Sequence, residues 1–162
     1  MRVLLPVLAL LLASCRTTSY YIVRHGEKAA ASGAQMSSDV PLSAAGEERA
    51  QALKERLQNA RVDHVFSTNT QRTRNTAQPL ATARGLSIQT YDARDTGFVS
   101  RIKFISRGNV LIVGHSNTVD DLVNRFLGQS ELADLPDTAF GDLFIITRKG
   151  KKYRFRREHF GK

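Results

Sequence analysis

Two apolar runs constrain this chain more than any other feature. They are Tyr20-Tyr21-Ile22-Val23 and Val110-Leu111-Ile112-Val113. Four apolar residues in a row, without alternation, suit a strand buried on both faces, in a sheet that helices cover on either side. Both runs then break into polar residues. The first meets Arg24, His25 and Gly26; the second meets Gly114, His115 and Ser116. Charge and imidazole thus stand where two buried strands end.

The segments between these runs alternate in period. Residues 28–42 (KAAASGAQMSSDVPL) read as a loop closed by Pro41. Ser43 is placed to cap a helix reaching to about residue 60, with Ala50, Leu53 and Leu57 as its core stripe. Residues 62–66 read as a second strand. A helix over 71–84 stops at Gly85, and Pro79 is expected to bend or divide it. Residues 86–91 read as a third strand, and a shorter helix is expected near 97–106. The 110–113 strand follows, then a helix capped by Ser116 and ending near Gly128. Residues 143–147 and 153–157 read as a terminal hairpin around Lys149-Gly150. This alternation predicts an α/β fold: three layers, α/β/α, with a mostly parallel central sheet and a C-terminal edge hairpin. Ligand sites of such sheets gather at the carboxyl ends of the strands. Arg24-His25, Ser67 and Gly114-His115 all fall on that rim.

The 162 residues suffice for one domain with a real core. The formal net charge of +9 permits phosphorylated solutes, anionic lipid or nucleic acid as partners without choosing among them. Residues 1–14 stand apart from the fold. Met1-Arg2 precedes an apolar run of ten residues, 3–12, broken only by Pro6, too short to span a bilayer but suited to a signal-peptide core. The stretch LASC, residues 12–15, resembles the bacterial lipobox. That resemblance implies cleavage before Cys15, the chain's single cysteine, and lipid on its thiol and new amino group. Residues 15–19 would then be lipidated cysteine and short tether, and residues 20–162 the domain. The expected location is a bacterial envelope membrane, outside the cytoplasm, and export weighs against nucleic acid as partner.

Three segments carry the chemistry: RHGE at 24–27, FSTNTQRTRNTA at 66–77 and VLIVGHSNT at 110–118. With LSAAGEERAQAL at 42–53 they resemble, in order and in place, the histidine phosphatase superfamily, also called phosphoglycerate-mutase-like. The resemblance implies that His25 is a nucleophile phosphorylated during turnover. It implies that Arg24, Arg72 and His115 bind the phosphoryl oxygens. Arg72 rather than Arg74 fits the pattern, since it lies four residues before Thr76. The residue chemistry agrees. Guanidiniums offer paired donors to phosphoryl oxygens, and phosphoryl transfer is catalysed mainly by positioning and electrostatics. Nearby cations disfavour protonation of His25 and leave a nitrogen free to attack. Gly26 lets backbone come close to the ring or phosphate. Ser116 and Asn117 begin a helix whose amino end suits an anion.

The leaving group needs a proton, which the family takes from a carboxylate on variable segments. Asp92, just after the third strand, is the first candidate general acid; Asp95 and Glu27 are the alternatives. His64 and His159 belong to no pattern and are expected at the surface. No metal or organic cofactor is called for. The expected activity is a phosphatase acting on a phosphomonoester or phosphoramidate, of a small molecule or a phosphoprotein. Mutase activity is expected less, because the family's mutases carry longer insertions. The competing reading is a non-catalytic phosphate- or polyanion-binding envelope protein. In the tail, RKGKKYRFRREHF at 148–160, Tyr153 and Phe155 are expected to face inward and the basic residues outward, guarding an edge strand.

Overall fold

The computed structural model describes residues 17–30, 39–105 and 108–161. The expected signal peptide, Cys15 and the middle of the 28–42 loop lie outside those residues. Six strands and four helices follow in the order β1 (Thr17–Arg24), α1 (Ala44–Arg56), β2 (Val62–Ser67), α2 (Gln71–Arg84), β3 (Ile88–Thr90), α3 (Phe98–Lys103), β4 (Asn109–Gly114), α4 (Ser116–Leu127), β5 (Asp142–Lys149) and β6 (Lys152–His159). One sheet runs β3-β2-β4-β1-β5-β6. The β1–β4, β2–β4 and β2–β3 pairs are parallel, whereas β5 lies antiparallel between β1 and the edge strand β6. The three-layer reading of the sequence holds.

Strand alternation divides the core. Tyr20, Ile22, Val110, Ile112, Phe144 and Ile146 face α3 and α4. Val23, Leu111, Val113, Leu143 and Ile145 face α1 and α2. The unbroken apolar runs thus feed two cores, one per face. Leu53 of α1 and Leu57 at its C-terminal cap are fully buried, and Ala50 nearly so. Truncating either leucine to alanine removes about 2–5 kcal/mol. Ser43 caps α1 as expected, accepting the Gly46 N–H.

Four expectations are corrected. β1 begins at Thr17, so 17–19 is strand rather than tether. Its partner β5 is long, and its ladder, Thr17 opposite Lys149 to Val23 opposite Leu143, carries β1 beyond its apolar run. α1 ends at Arg56, four residues short of the expected limit. Pro79 does not divide α2, because Ala77, Leu80 and Ala81 on both sides of it pack into one cluster. The cap position of α4 belongs to His115, whose N–H donates to Thr118 Oγ1 at 2.9 Å; Ser116 is the first helical residue. The edge hairpin forms as read, with Tyr153 and Phe155 against the core and Arg154 and Arg156 exposed.

Candidate active site

The parallel ladder sets the frame. Arg24, the last residue of β1, stands opposite Gly114, the last of β4, and the His25 N–H donates to Gly114 O at 3.0 Å. His25 and His115 are therefore neighbours. Their rings meet edge to face with centroids 5.3 Å apart.

His25 is 4% exposed. Its Nδ1 lies 2.7 Å from Gly26 O. A carbonyl only accepts, so Nδ1 carries the proton and Nε2 keeps its lone pair. Burial, with His115, Arg72 and Arg24 nearby, pulls this imidazole down to about 4, against a weaker upward pull from the Gly26 carbonyl. The ring is neutral at ordinary pH, as a nucleophile must be.

His115 is held from two sides. Nδ1 lies 3.5 Å from Arg72 Nη2, and Nε2 lies 2.9 Å from Thr68 Oγ1. A guanidinium only donates, which places the His115 proton on Nε2, toward Thr68. Burial and the charges of Arg72 and Arg24 lower this ring to about 4 as well, with Asp39 opposing. Arg72 also approaches Asp39 Oδ1 at 3.8 Å. That carboxylate accepts the Gln71 N–H at 2.7 Å and so fastens the start of α2.

Arg24 is 5% exposed. Its Nη1 donates to the carbonyls of Pro136, Asp137 and Ala139 at 3.0–3.1 Å. The guanidinium lies 4.3 Å from the Phe140 ring centroid, and Nη2 is 3.6 Å from the Asp137 carboxylate. The segment between α4 and β5 is thus a strap that aims Arg24.

The Gly26 backbone approaches the His25 ring as expected, through its carbonyl, and it also packs against α1: a Cβ there would stand 2.7 Å from Gly46 O. Glu27 makes paired hydrogen bonds to Arg49, which hold its carboxyl below the usual carboxylate range. It is a charge partner of Arg49. Asp95 is held ionised by Arg101. The Asp92 carboxylate turns back on its own loop, accepting the Arg94 N–H at 2.9 Å. The structure thus gathers His25, Arg24, Arg72 and His115, with Ser116 at the adjoining helix start. The carboxylates of Asp92, Asp95 and Glu27 are engaged by Arg94, Arg101 and Arg49, with Glu27 also within electrostatic reach of Arg24. Arg74 points elsewhere, its Nη1 reaching Thr90 Oγ1 at 3.4 Å. His159 is exposed, and His64 is half-buried in β2.

Sequence reasoning missed Thr68, Asp39 and the 136–139 strap. Thr68 lies one residue beyond Ser67, whose own hydroxyl is spent on Thr68 O. The strap carries no periodic signal because its backbone carbonyls do the binding. Among the described residues, no group of three or more His, Cys, Asp or Glu side chains is placed to hold a metal ion.

A buried imidazole with its Nε2 lone pair available, a second imidazole and two guanidiniums thus share the strand-end rim, an arrangement that favours an anion. The comparisons agree with that geometry. Residues 20–95 match the model of the histidine phosphatase superfamily, branch 1. Over those 76 of its 162 residues the chain is similar to this superfamily. It is 43% identical over 76 residues to a probable phosphoglycerate mutase GpmB of Citrobacter koseri, and 41% identical over 76 residues to that of Salmonella choleraesuis. Each match covers 46% of this chain and 35% of the relative, so the chain aligns with about a third of these longer proteins. Among solved structures, a putative phosphohistidine phosphatase SixA from Agrobacterium tumefaciens superposes with TM-score 0.65 at 22% identity, covering 89% of this chain and 97% of that one. A mycobacterial glucosyl-3-phosphoglycerate phosphatase gives TM-score 0.69 at 15% identity, covering 89% and 98%. At these identities the two structures bear on the fold.

Proposed function

We propose that the protein is a phosphatase working through phospho-His25, with phosphoramidates or phosphomonoesters of good leaving groups as substrates. The observation that carries this is His25 itself: Nδ1 tied to Gly26 O, Nε2 free, and Arg24, Arg72 and His115 around it. The Nε2 lone pair attacks phosphorus while the bond to the leaving oxygen or nitrogen breaks. That atom takes the electron pair and acquires a proton. Water then attacks phosphorus, restores Nε2 and releases inorganic phosphate. Arg24 and Arg72 offset the charge of the equatorial oxygens.

The leaving-group preference rests on the carboxylates. Glu27 and Asp95 are held ionised by arginines, and Asp92 is bonded within its own loop. A substrate whose leaving atom needs little protonation suits this site. A mutase would have to keep the phosphoryl group from water. Phosphate release from phosphohistidine and p-nitrophenyl phosphate tests the reading, with transfer to 3-phosphoglycerate as the competing outcome. Phosphate binding without turnover on either substrate would favour the non-catalytic module.

We also infer an envelope location, with the chain lipidated at Cys15. The support is the LASC stretch after residues 3–12. Mass spectrometry of the protein from bacterial membranes tests it, with C15S as control.

A further inference from the structure

β1 enters the sheet at Thr17, opposite Lys149 and beside the β5–β6 turn. That turn presents Lys149, Lys151 and Lys152, all exposed, and no carboxylate pairs with them among the described residues. Phe104, directly after α3, is 85% exposed, and it is the one large hydrophobic side chain so exposed among the described residues. Arg148 joins the two features. Its guanidinium donates to the carbonyls of Lys103 and Ile105, the residues on either side of Phe104. An aromatic ring and a turn of lysines therefore share one end of the molecule.

Ordinary structural causes do not account for them. Helix dipoles explain basic residues in last turns, such as Arg84 and Arg125, but these lysines lie on a hairpin turn. Edge protection explains charge along β6, not a solvated phenyl ring. A ring flanked by lysines suits the interface of an anionic bilayer, where the ring enters the headgroup layer and the ammonium groups meet lipid phosphates. The chain upstream of Thr17, with its apolar residues 3–12, also joins the fold at this end.

We propose that Phe104 with Lys149, Lys151 and Lys152 forms a docking surface for an anionic membrane, with the catalytic rim turned toward the aqueous phase. β1 separates the two ends. Its rise from Thr17 to His25 is about 26 Å, so a bilayer at one end leaves the site open. The proposal rests on the envelope location inferred above but not on acylation of Cys15.

The chain has no tryptophan, so F104W introduces a single reporter. The full chain, carrying C15S to remove any acyl anchor, is mixed with vesicles of phosphatidylcholine with or without phosphatidylglycerol. The expected result is a blue-shifted indole emission, quenched by brominated lipid, on the anionic vesicles only and reversed by high salt. K149Q/K151Q/K152Q should weaken that partitioning roughly hundredfold, about fivefold per lysine, with phosphatase activity in solution unchanged. Co-sedimentation with anionic vesicles without movement of the indole emission overturns the proposal. So does a salt-sensitive response to duplex DNA with none to vesicles. Cys15 acylation is read separately from the mass of the wild-type protein, so failure of the anchor and failure of the docking surface are distinguishable.

Discussion

Nη2 of Arg72 lies 3.5 Å from Nδ1 of His115, so the first turn of α2 reaches across to the end of β4. The guanidinium fixes the tautomer of His115 and, on the proposed function, supplies charge to the phosphoryl group. A lysine would supply charge without the planar fork. R72K is expected to lower kcat/KM about 10- to 100-fold with the fold intact, the loss of one or two charge-assisted hydrogen bonds. R74K, on the side facing Thr90, is expected to have little effect. Steady-state kinetics beside circular dichroism checks both.

Both imidazoles are lowered to about 4, chiefly by burial. Two consequences follow in pH. The nucleophile stays neutral down to about pH 4, so the acidic limb of kcat/KM should fall well below the ordinary histidine value. Stability has its own sign. Between the unfolded value of 6.5 and the folded value of about 4, the unfolded chain binds more protons at these sites, so stability falls as pH drops through that window. For His25 alone the loss is on the order of 3 kcal/mol. Urea melts at pH 7, 5.5 and 4 measure it, and H25N should flatten the dependence in part.

Gly46 packs against the backbone of Glu27, and a Cβ on it would stand 2.3 Å from the Glu27 carbonyl oxygen. Backbone cannot yield as a flexible side chain does. G46A should destabilise the fold by about 1–3 kcal/mol and shift the His25 loop, raising KM as well as lowering the melting temperature. A full-strength enzyme with an unchanged melting temperature would contradict this packing.

The carboxylates separate the leaving-group readings. A general acid contributes roughly 10²–10⁴-fold. If substrates supply their own good leaving group, D92N should lower turnover of phosphohistidine less than about tenfold. E27Q should act through stability, by breaking its bonds to Arg49, and not through the pH–rate profile. A loss of 10²-fold or more in D92N at full stability would return the acid role to Asp92.

The parts legible in the sequence were those that depend on side-chain type. Unbroken apolar runs announced two-sided strands, and the positions of Arg24, His25, Arg72 and His115 followed from strand ends and motif spacing. The parts that stayed hidden depend on backbone or on pairing at a distance. Thr17 joins β1 through a ladder to β5, which no local signal shows. Arg24 is aimed by three carbonyls that any residues could have supplied. Gly26 was singled out as a close approach to the His25 ring, but its second close neighbour, Gly46 of α1, lies 20 residues away in the chain and gave no local signal.

The central claim is the covalent intermediate on His25. Quenching the enzyme in alkaline detergent within the first turnovers of ³²P-labelled p-nitrophenyl phosphate, followed by peptide mapping at alkaline pH, tests it most directly. The account predicts an acid-labile, alkali-stable phosphate on the peptide bearing His25, absent from H25A, which should have no turnover. Label on another residue, or turnover retained in H25A, would contradict it.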